Sequence, residues 1–420
     1  MSNVLRPGTA AAAFAALLAG GAGAAADDRA ADFAWRSRLV PEFHSLRGDS
    51  PFAAGIPLTA FGRERARFEQ EAKGRLGPLN LRLTAQGNGM EGRAPVAKAI
   101  ANEAYADFGS GADRFTLGKK VMSGDVGYGF RPLDVVQREN RRQLAAPALE
   151  GIPVGVWERY TADDAWSVIY ANPAHGRRGQ ARQDESLALR YFRRAGAADL
   201  HGVARFSGRH GAEVGAAFAA VPDESLELHA SVLVQRRGER MAVPVLAGPA
   251  LLDPNRVLAA EGIRSPRRAL AGFTWTWEGG WSVLGEAWWD GTAPGRGDWK
   301  RLLAQSAVRR GLASVPGVPT AAVSGATALS TRLYEVENLQ RRNLLGRLAW
   351  TDPGGDGWSS ALELLLTPED RGRVATWSIT REAGAWKIEA GLRRYGGAAG
   401  SAWRMFPERG AAFVAASLAY

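Results

Sequence analysis

The sequence predicts an all-β fold, a transmembrane antiparallel up-and-down β-barrel of about eighteen strands with short periplasmic turns and long outer loops. Three observations predict it. Apolar residues recur at every second place along runs of about ten residues, the long gaps between runs follow odd-numbered ones, and the chain ends in an alternating segment closed by an aromatic residue.

The first element is a leader. Arg6 precedes an apolar stretch, Ala10 to Leu18, and Ala24-Ala25-Ala26 offers a small-residue cleavage site before Asp27-Asp28. This is the layout of a secretory signal peptide over 1–26, which leaves 27–420 as a single barrel domain. No later segment has the run of about 20 apolar residues that a membrane helix needs.

Period two dominates from residue 32 onward. Leu79, Leu81, Leu83 and Ala85 alternate with Asn80, Arg82, Thr84 and Gln86, and Trp386, Ile388, Ala390 and Leu392 with Lys387, Glu389, Gly391 and Arg393. A strand sends such alternate side chains to opposite faces, and about ten residues cross a bilayer when tilted. Strands are expected near 32–46, 61–75, 77–86, 101–109, 112–120, 153–162, 164–172, 184–194, 197–207, 211–220, 224–235, 268–278, 280–289, 343–351, 357–366, 373–382, 384–394 and 411–420. Sixteen strands would fit almost as well.

The long gaps 121–152, 236–267, 290–342 and 395–410 follow odd strands, while Leu76, Asp163, Gly279 and Ala383 mark short turns after even ones. A membrane barrel with both termini on one side sorts its loops in this way, and a soluble sandwich has no reason to. Tryptophans and tyrosines such as Trp157, Tyr160, Trp275, Trp277, Trp288, Trp350 and Trp386 stand near predicted strand ends, where interfacial aromatics settle.

Composition excludes several chemistries. The chain of 420 residues has no cysteine, so disulfides, thiolate metal sites and cysteine nucleophiles are absent. Its five histidines form no HExxH, and Gly-x-Ser-x-Gly is missing. No cofactor, metal or nucleic acid is expected, and an enzyme is not. A serine–histidine lipid hydrolase built on the barrel wall remains a third reading, with His201 and His229 expected as solvated lumen groups. The formal net charge is +10. It fits attraction to anions, and equally a chain that uses arginine wherever a cation is tolerated.

The stretch Leu117-Gly118-Lys119-Lys120 followed by Gly127-Tyr128-Gly129-Phe130-Arg131-Pro132-Leu133-Asp134 resembles alginate-export-like outer-membrane barrels and their porin-like relatives. There a strand ending in Gly-Arg-Gln leads to a glycine-aromatic stretch and then Pro-x-Asp. Here Ser123-Gly124 stands where relatives often carry Trp-Gly. The terminal Leu418 and Tyr420 resemble the last strand of such barrels, which the insertion machinery reads. These resemblances imply an outer-membrane barrel among lipid and lipopolysaccharide, without fixing a solute.

Charged side chains facing lipid at mid-depth cost about 2–4 kcal/mol each, so the polar phase must face a wet interior. Arg63, Arg65, Arg67, Arg82, Arg190, Arg205, Arg347, Lys387 and Arg393 are therefore candidates to line the lumen and bind a small or polymeric anion. Pairing with carboxylates in cross-strand ladders would cancel much of their field. The loop 121–152, with Asp134, Arg138, Glu139, Arg141 and Arg142, is the candidate constriction. The function expected is a passive channel preferring anionic solutes. The alternative is a closed barrel serving as a docking or structural part of an export or surface assembly.

Overall fold

A computed structural model describes residues 32–53, 62–172 and 185–420, so the predicted leader lies outside the described residues. The strands are β1 (Asp32–Leu46), β2 (Glu64–Leu76), β3 (Leu79–Met90), β4 (Arg93–Ser110), β5 (Asp113–Lys120), β6 (Ile152–Tyr160), β7 (Asp164–Ala171), β8 (Ser186–Ala195), β9 (Ala198–Ser207), β10 (Gly211–Asp223), β11 (Leu226–Gln235), β12 (Arg237–Ala242), β13 (Ala259–Arg264), β14 (Arg267–Trp277), β15 (Trp281–Asp290), β16 (Arg342–Thr351), β17 (Trp358–Thr367), β18 (Gly372–Ala383), β19 (Trp386–Gly397) and β20 (Glu408–Ala419). All but β12 and β13 form one antiparallel sheet of 18 strands. It closes because β1 pairs with both β2 and β20. Closure leaves the sheet without an edge.

The phase is the one the alternation requires. Leu83 is 45% exposed on the outer face while Thr84 beside it is 4% exposed on the inner one. Leu228, Val232, Val234, Leu392 and Val414 also face out. Tight turns such as 77–78, 111–112 and 384–385 join the strands at one end, with Gly77, Gly111 and Gly384 in the left-handed region. The long connections emerge at the opposite end.

Two of those connections carry structure that the period-two reading does not contain. Segment 236–266 folds into the β12–β13 hairpin. Segment 291–341 holds helices α1 (Arg296–Leu312) and α2 (Thr320–Ser330). The buried face of α1 reads Trp299, Leu302, Ser306, Arg309, a helical spacing. With Phe52, Val243, Leu333 and Trp403 these helices build an apolar core over the long-loop end.

The interior differs from the wet lumen expected. Val154, Val156, Ile169, Val203 and Leu233 occupy the inward phase of β6 to β11 and are buried. Trp288, expected at an interface, points inward instead; it is 7% exposed and donates to Asn338 at 2.9 Å. The reason is the segment 121–151, which covers this part of the wall.

Candidate functional site: the inward-folded segment 121–151

Local chemistry shapes the segment first. The Asp125 carboxylate accepts from the backbone N–H groups of Val126 and Leu133, both at 2.7 Å. Asp134 accepts the Gly124 N–H and the Ser123 hydroxyl, both at 2.6 Å. The two aspartates brace one turn from opposite sides, and Ser123-Gly124 is part of the brace. Burial raises both carboxyls above the usual range, against the pull of these hydrogen bonds. Asp134 is thus an internal strut rather than a group offered to a solute. A Cβ on Gly127 would lie 2.0 Å from the Phe130 carbonyl oxygen, so the turn needs glycine there.

The segment then docks on the barrel wall at three places. Met122, Leu133, Val135 and Val136 pack on the apolar inner face of β6 to β11. Phe130 packs with Leu270, Trp288 and Leu345. Ala145 packs with Val40, Phe413 and Ala415 across the barrel. Polar links follow the same path: Arg190 donates to the Met122 carbonyl at 3.0 Å, Arg38 to that of Ala146 at 3.2 Å, and Arg67 to that of Ala145.

One anchor stands out. Glu286 on β15 is buried, and its carboxylate accepts from Tyr128 N–H at 2.6 Å and Gly129 N–H at 2.7 Å. His229 Nε2 lies 3.1 Å from the same carboxylate. His229 therefore sits beneath the segment, 3% exposed, and not in open solvent as expected. The approach is close at Gly129: an added Cβ would meet Leu345 Cδ2 at 2.8 Å and Glu286 Oε2 at 3.1 Å, so both side chains would have to give way. Sequence offered one signal for Glu286, a lone carboxylate between Leu284 and Trp288 on one strand face.

The predicted lumen cations divide into two groups. Most meet carboxylates. Arg82 lies 2.9 Å from Glu71, which also meets Arg36 at 3.3 Å, Arg347 lies 3.2 Å from Glu363, and Lys387 lies 3.1 Å from Glu382. Arg65 contacts Glu408 at 3.0 Å, Arg67 lies 3.5 Å from Glu69, and Arg205 pairs with buried Glu213. Within the segment, Arg138 lies 3.8 Å from Glu337 and Arg141 3.6 Å from Glu139. Arg63 lies just before β2 and is exposed; its backbone N–H donates to Glu91.

Arg142 and Arg393 differ. Arg142 donates to the Tyr334 carbonyl at 2.8 Å. Arg393 donates to the Arg142 carbonyl and, through Nε, to the Thr376 hydroxyl at 2.9 Å. Among the described residues neither has an ion pair within 4.0 Å. Burial lowers the Arg142 guanidinium to about 10, which still leaves it charged at neutral pH. Both line a cavity of about 420 Å³ with Tyr128, Glu139, Tyr395 and Trp403. Leu418 and Tyr420 stand on the outward phase of the last strand and beyond it; the Tyr420 hydroxyl accepts from Gln70 at 2.9 Å.

No protein-family model matches the chain, and no curated protein matches it. Solved structures do. OccAB1 of Acinetobacter baumannii is similar with a TM-score of 0.53 at 10% identity, covering 92% of this chain and 95% of that one. OccK8 (OprE) of Pseudomonas aeruginosa gives 0.52 at 9%, covering 92% and 97%. OpdK of the same organism, solved with vanillate, gives 0.51 at 8%, covering 92% and 98%. This likeness supports a porin-like barrel and does not single out the alginate-export-like group. At such identities it speaks for fold alone: the chain is a closed, antiparallel, eighteen-stranded barrel of the kind solved in outer-membrane porins.

Proposed function

We propose that this chain sits in a bacterial outer membrane, with its long connections outside, and acts as a passive channel preferring small anionic solutes. Segment 121–151 is its constriction. The observation that carries the reading is the cavity beside that segment, which holds two arginines, Arg142 and Arg393, bound only to neutral oxygens. A desolvated guanidinium with spare donors replaces part of an anion's lost hydration. The apolar share of the lining, including Trp288, Leu365 and Trp403, favours an anion with an apolar body over a fully hydrated one. A polyanionic chain would need the segment to move aside.

Planar-bilayer reversal potentials test this. Wild type should favour anions, and Arg142→Gln and Arg393→Gln should each lower the anion-to-cation permeability ratio by about twofold to fivefold. A wild-type pore preferring cations, or a ratio indifferent to both substitutions, removes the anion claim.

The packed docking of 121–151 on β6 to β11 favours a second reading, a plugged barrel that serves as a structural or docking part of an assembly. Liposome swelling separates the two, since a plugged barrel admits no sugars.

A further inference from the structure

The outer face of β14 to β19 carries arginines at its long-loop end, and their placement follows a rule. Arg342 is opposite Trp289, which is opposite Ala269; Arg267 lies two residues further toward the long-loop end. Leu344, two residues below Arg342, is level with Leu366 and hence with Arg373. Arg394 is opposite Ala375, two residues below Arg373. The row Arg267, Arg342, Arg373, Arg394 thus descends by two residues at each step.

A second row at the turn end descends in the same way. Trp275 is level with Val283 and Leu348, two residues above Trp350. Trp350 is level with Ser360, two residues above Trp358, whose partner is Arg381. Arg381 is opposite Ile388, two residues above Trp386. Strands in a barrel tilt, so a line at constant height must walk along the register. The two rows are therefore two levels of one bilayer, eight residues apart on each strand.

On the four strands that carry the arginines every outward residue between the rows is apolar: Ala269, Ala271 and Phe273; Leu344, Gly346 and Leu348; Ala375, Trp377 and Ile379; Leu392, Ala390 and Ile388. Eight residues at about 3.4 Å span about 27 Å along the strand, or about 20 Å vertically at the usual tilt. Guanidinium groups that extend outward from that level reach the border of the apolar band, which is about 25 Å tall.

We infer that this arc is a binding site for the phosphates of an outer-leaflet glycolipid. All four arginines are exposed, and among the described residues none has an ion pair within 4.0 Å. Arg342 stacks over Trp289 at 5.6 Å, and its backbone N–H donates to the Glu369 carboxylate, on which its charge and that of Arg341 also act. Two polar groups elsewhere on the rim are already matched: Lys119 meets Glu150 at 2.5 Å, and Tyr170 donates to Glu185. Arg373 and Arg394 are diagonal neighbours on paired strands, about 7–8 Å apart by such geometry, close enough to share one phosphate. Aliphatic residues below them would receive the acyl chains.

The inference rests on the proposed membrane location and orientation but needs no current through the barrel. The test is native mass spectrometry of the folded full chain in detergent. The probes are bis-phosphorylated lipid A, the same lipid A stripped of phosphate, and phosphatidylglycerol. Wild type should bind the phosphorylated form at least tenfold tighter than either other lipid. R267Q/R342Q/R373Q/R394Q should lose that preference, and R75Q/R159Q/R193Q/R381Q, which removes four arginines at the turn end, should keep it. Equal affinity of wild type and the first variant overturns the site, as does indifference to phosphate removal or equal binding of phosphatidylglycerol. Conductance of the same preparations reports separately on the channel reading, so either idea can fail alone.

Discussion

Replacing Glu286 with glutamine should loosen the segment 121–151 locally while leaving the barrel intact. The carboxylate takes two backbone N–H bonds, at 2.6 and 2.7 Å, and faces His229 at 3.1 Å. Glutamine keeps the shape but supplies a single carbonyl acceptor, and its amide group then points at a backbone donor. A hydrogen bond to a charged group contributes about 1.5–3 kcal/mol. At about 1.4 kcal/mol per tenfold, amide exchange at Tyr128 and Gly129 should accelerate by about 10- to 150-fold. The apolar docking through Leu133, Val135 and Val136 is untouched, so opening stays local and the segment is not expelled. Hydrogen exchange read by mass spectrometry gives the answer, with β11 and β14 amides as internal reference. Exchange at 128–129 unchanged within twofold would refute the anchor, and acceleration throughout the barrel would show that Glu286 serves the wall instead.

Two further outcomes follow from the same geometry. Asp125 and Asp134 titrate higher in the folded segment than in an unfolded chain, so the folded form holds more protons in that window and is stabilised as pH falls through it. After correction for intrinsic exchange, the Gly124 and Leu133 amides should be better protected below the raised values than above them. D125N/D134N should abolish the dependence, and protection that rises with pH would contradict it. In the outer core, Trp299 is 2% exposed and donates Nε1–H to the Leu339 carbonyl at 2.5 Å. Trp299→Ala should cost that core about 3–5 kcal/mol. Protease should then cut 291–341 quickly while the barrel keeps its heat-shifted mobility on gels; a cutting rate equal to wild type would count against an independent outer core.

The wall was legible in the sequence because a membrane strand obeys one strict rule, apolar outward at every second residue. Each predicted strand from 32–46 to 411–420 corresponds to an observed one, with ends shifted by a few residues and the fourth extended back to Arg93. The interior was less legible because two environments share the inward phase. Residues such as Glu71 and Arg82 meet each other across a wet wall, whereas Leu233 and Ile169 meet a loop. Where the loop lies, inward positions turn apolar and period two fades. Nothing local marks Leu233 as a member of the cluster that holds Val136, since that cluster joins distant parts of the chain. The loop's glycine-aromatic turn and Asp134 were visible as a motif, but the bracing by Asp125 and Asp134 and the partner Glu286 follow only from the folded structure. Helix α1 was hidden because its buried face includes Ser306 and Arg309, which soften an apolar stripe.

The outer core joins pieces from opposite extremes of the polypeptide: Phe52 meets Tyr334 edge-on at 5.4 Å, and Trp403 joins them from just before the last strand. Those pieces become neighbours only after the first and last strands have zipped together. A complete roof therefore depends on that closure, and a chain paired out of register would leave its tryptophans uncovered. The roof thus straddles the seam of the cylinder, and its packing is complete only when the first and last strands are joined in register.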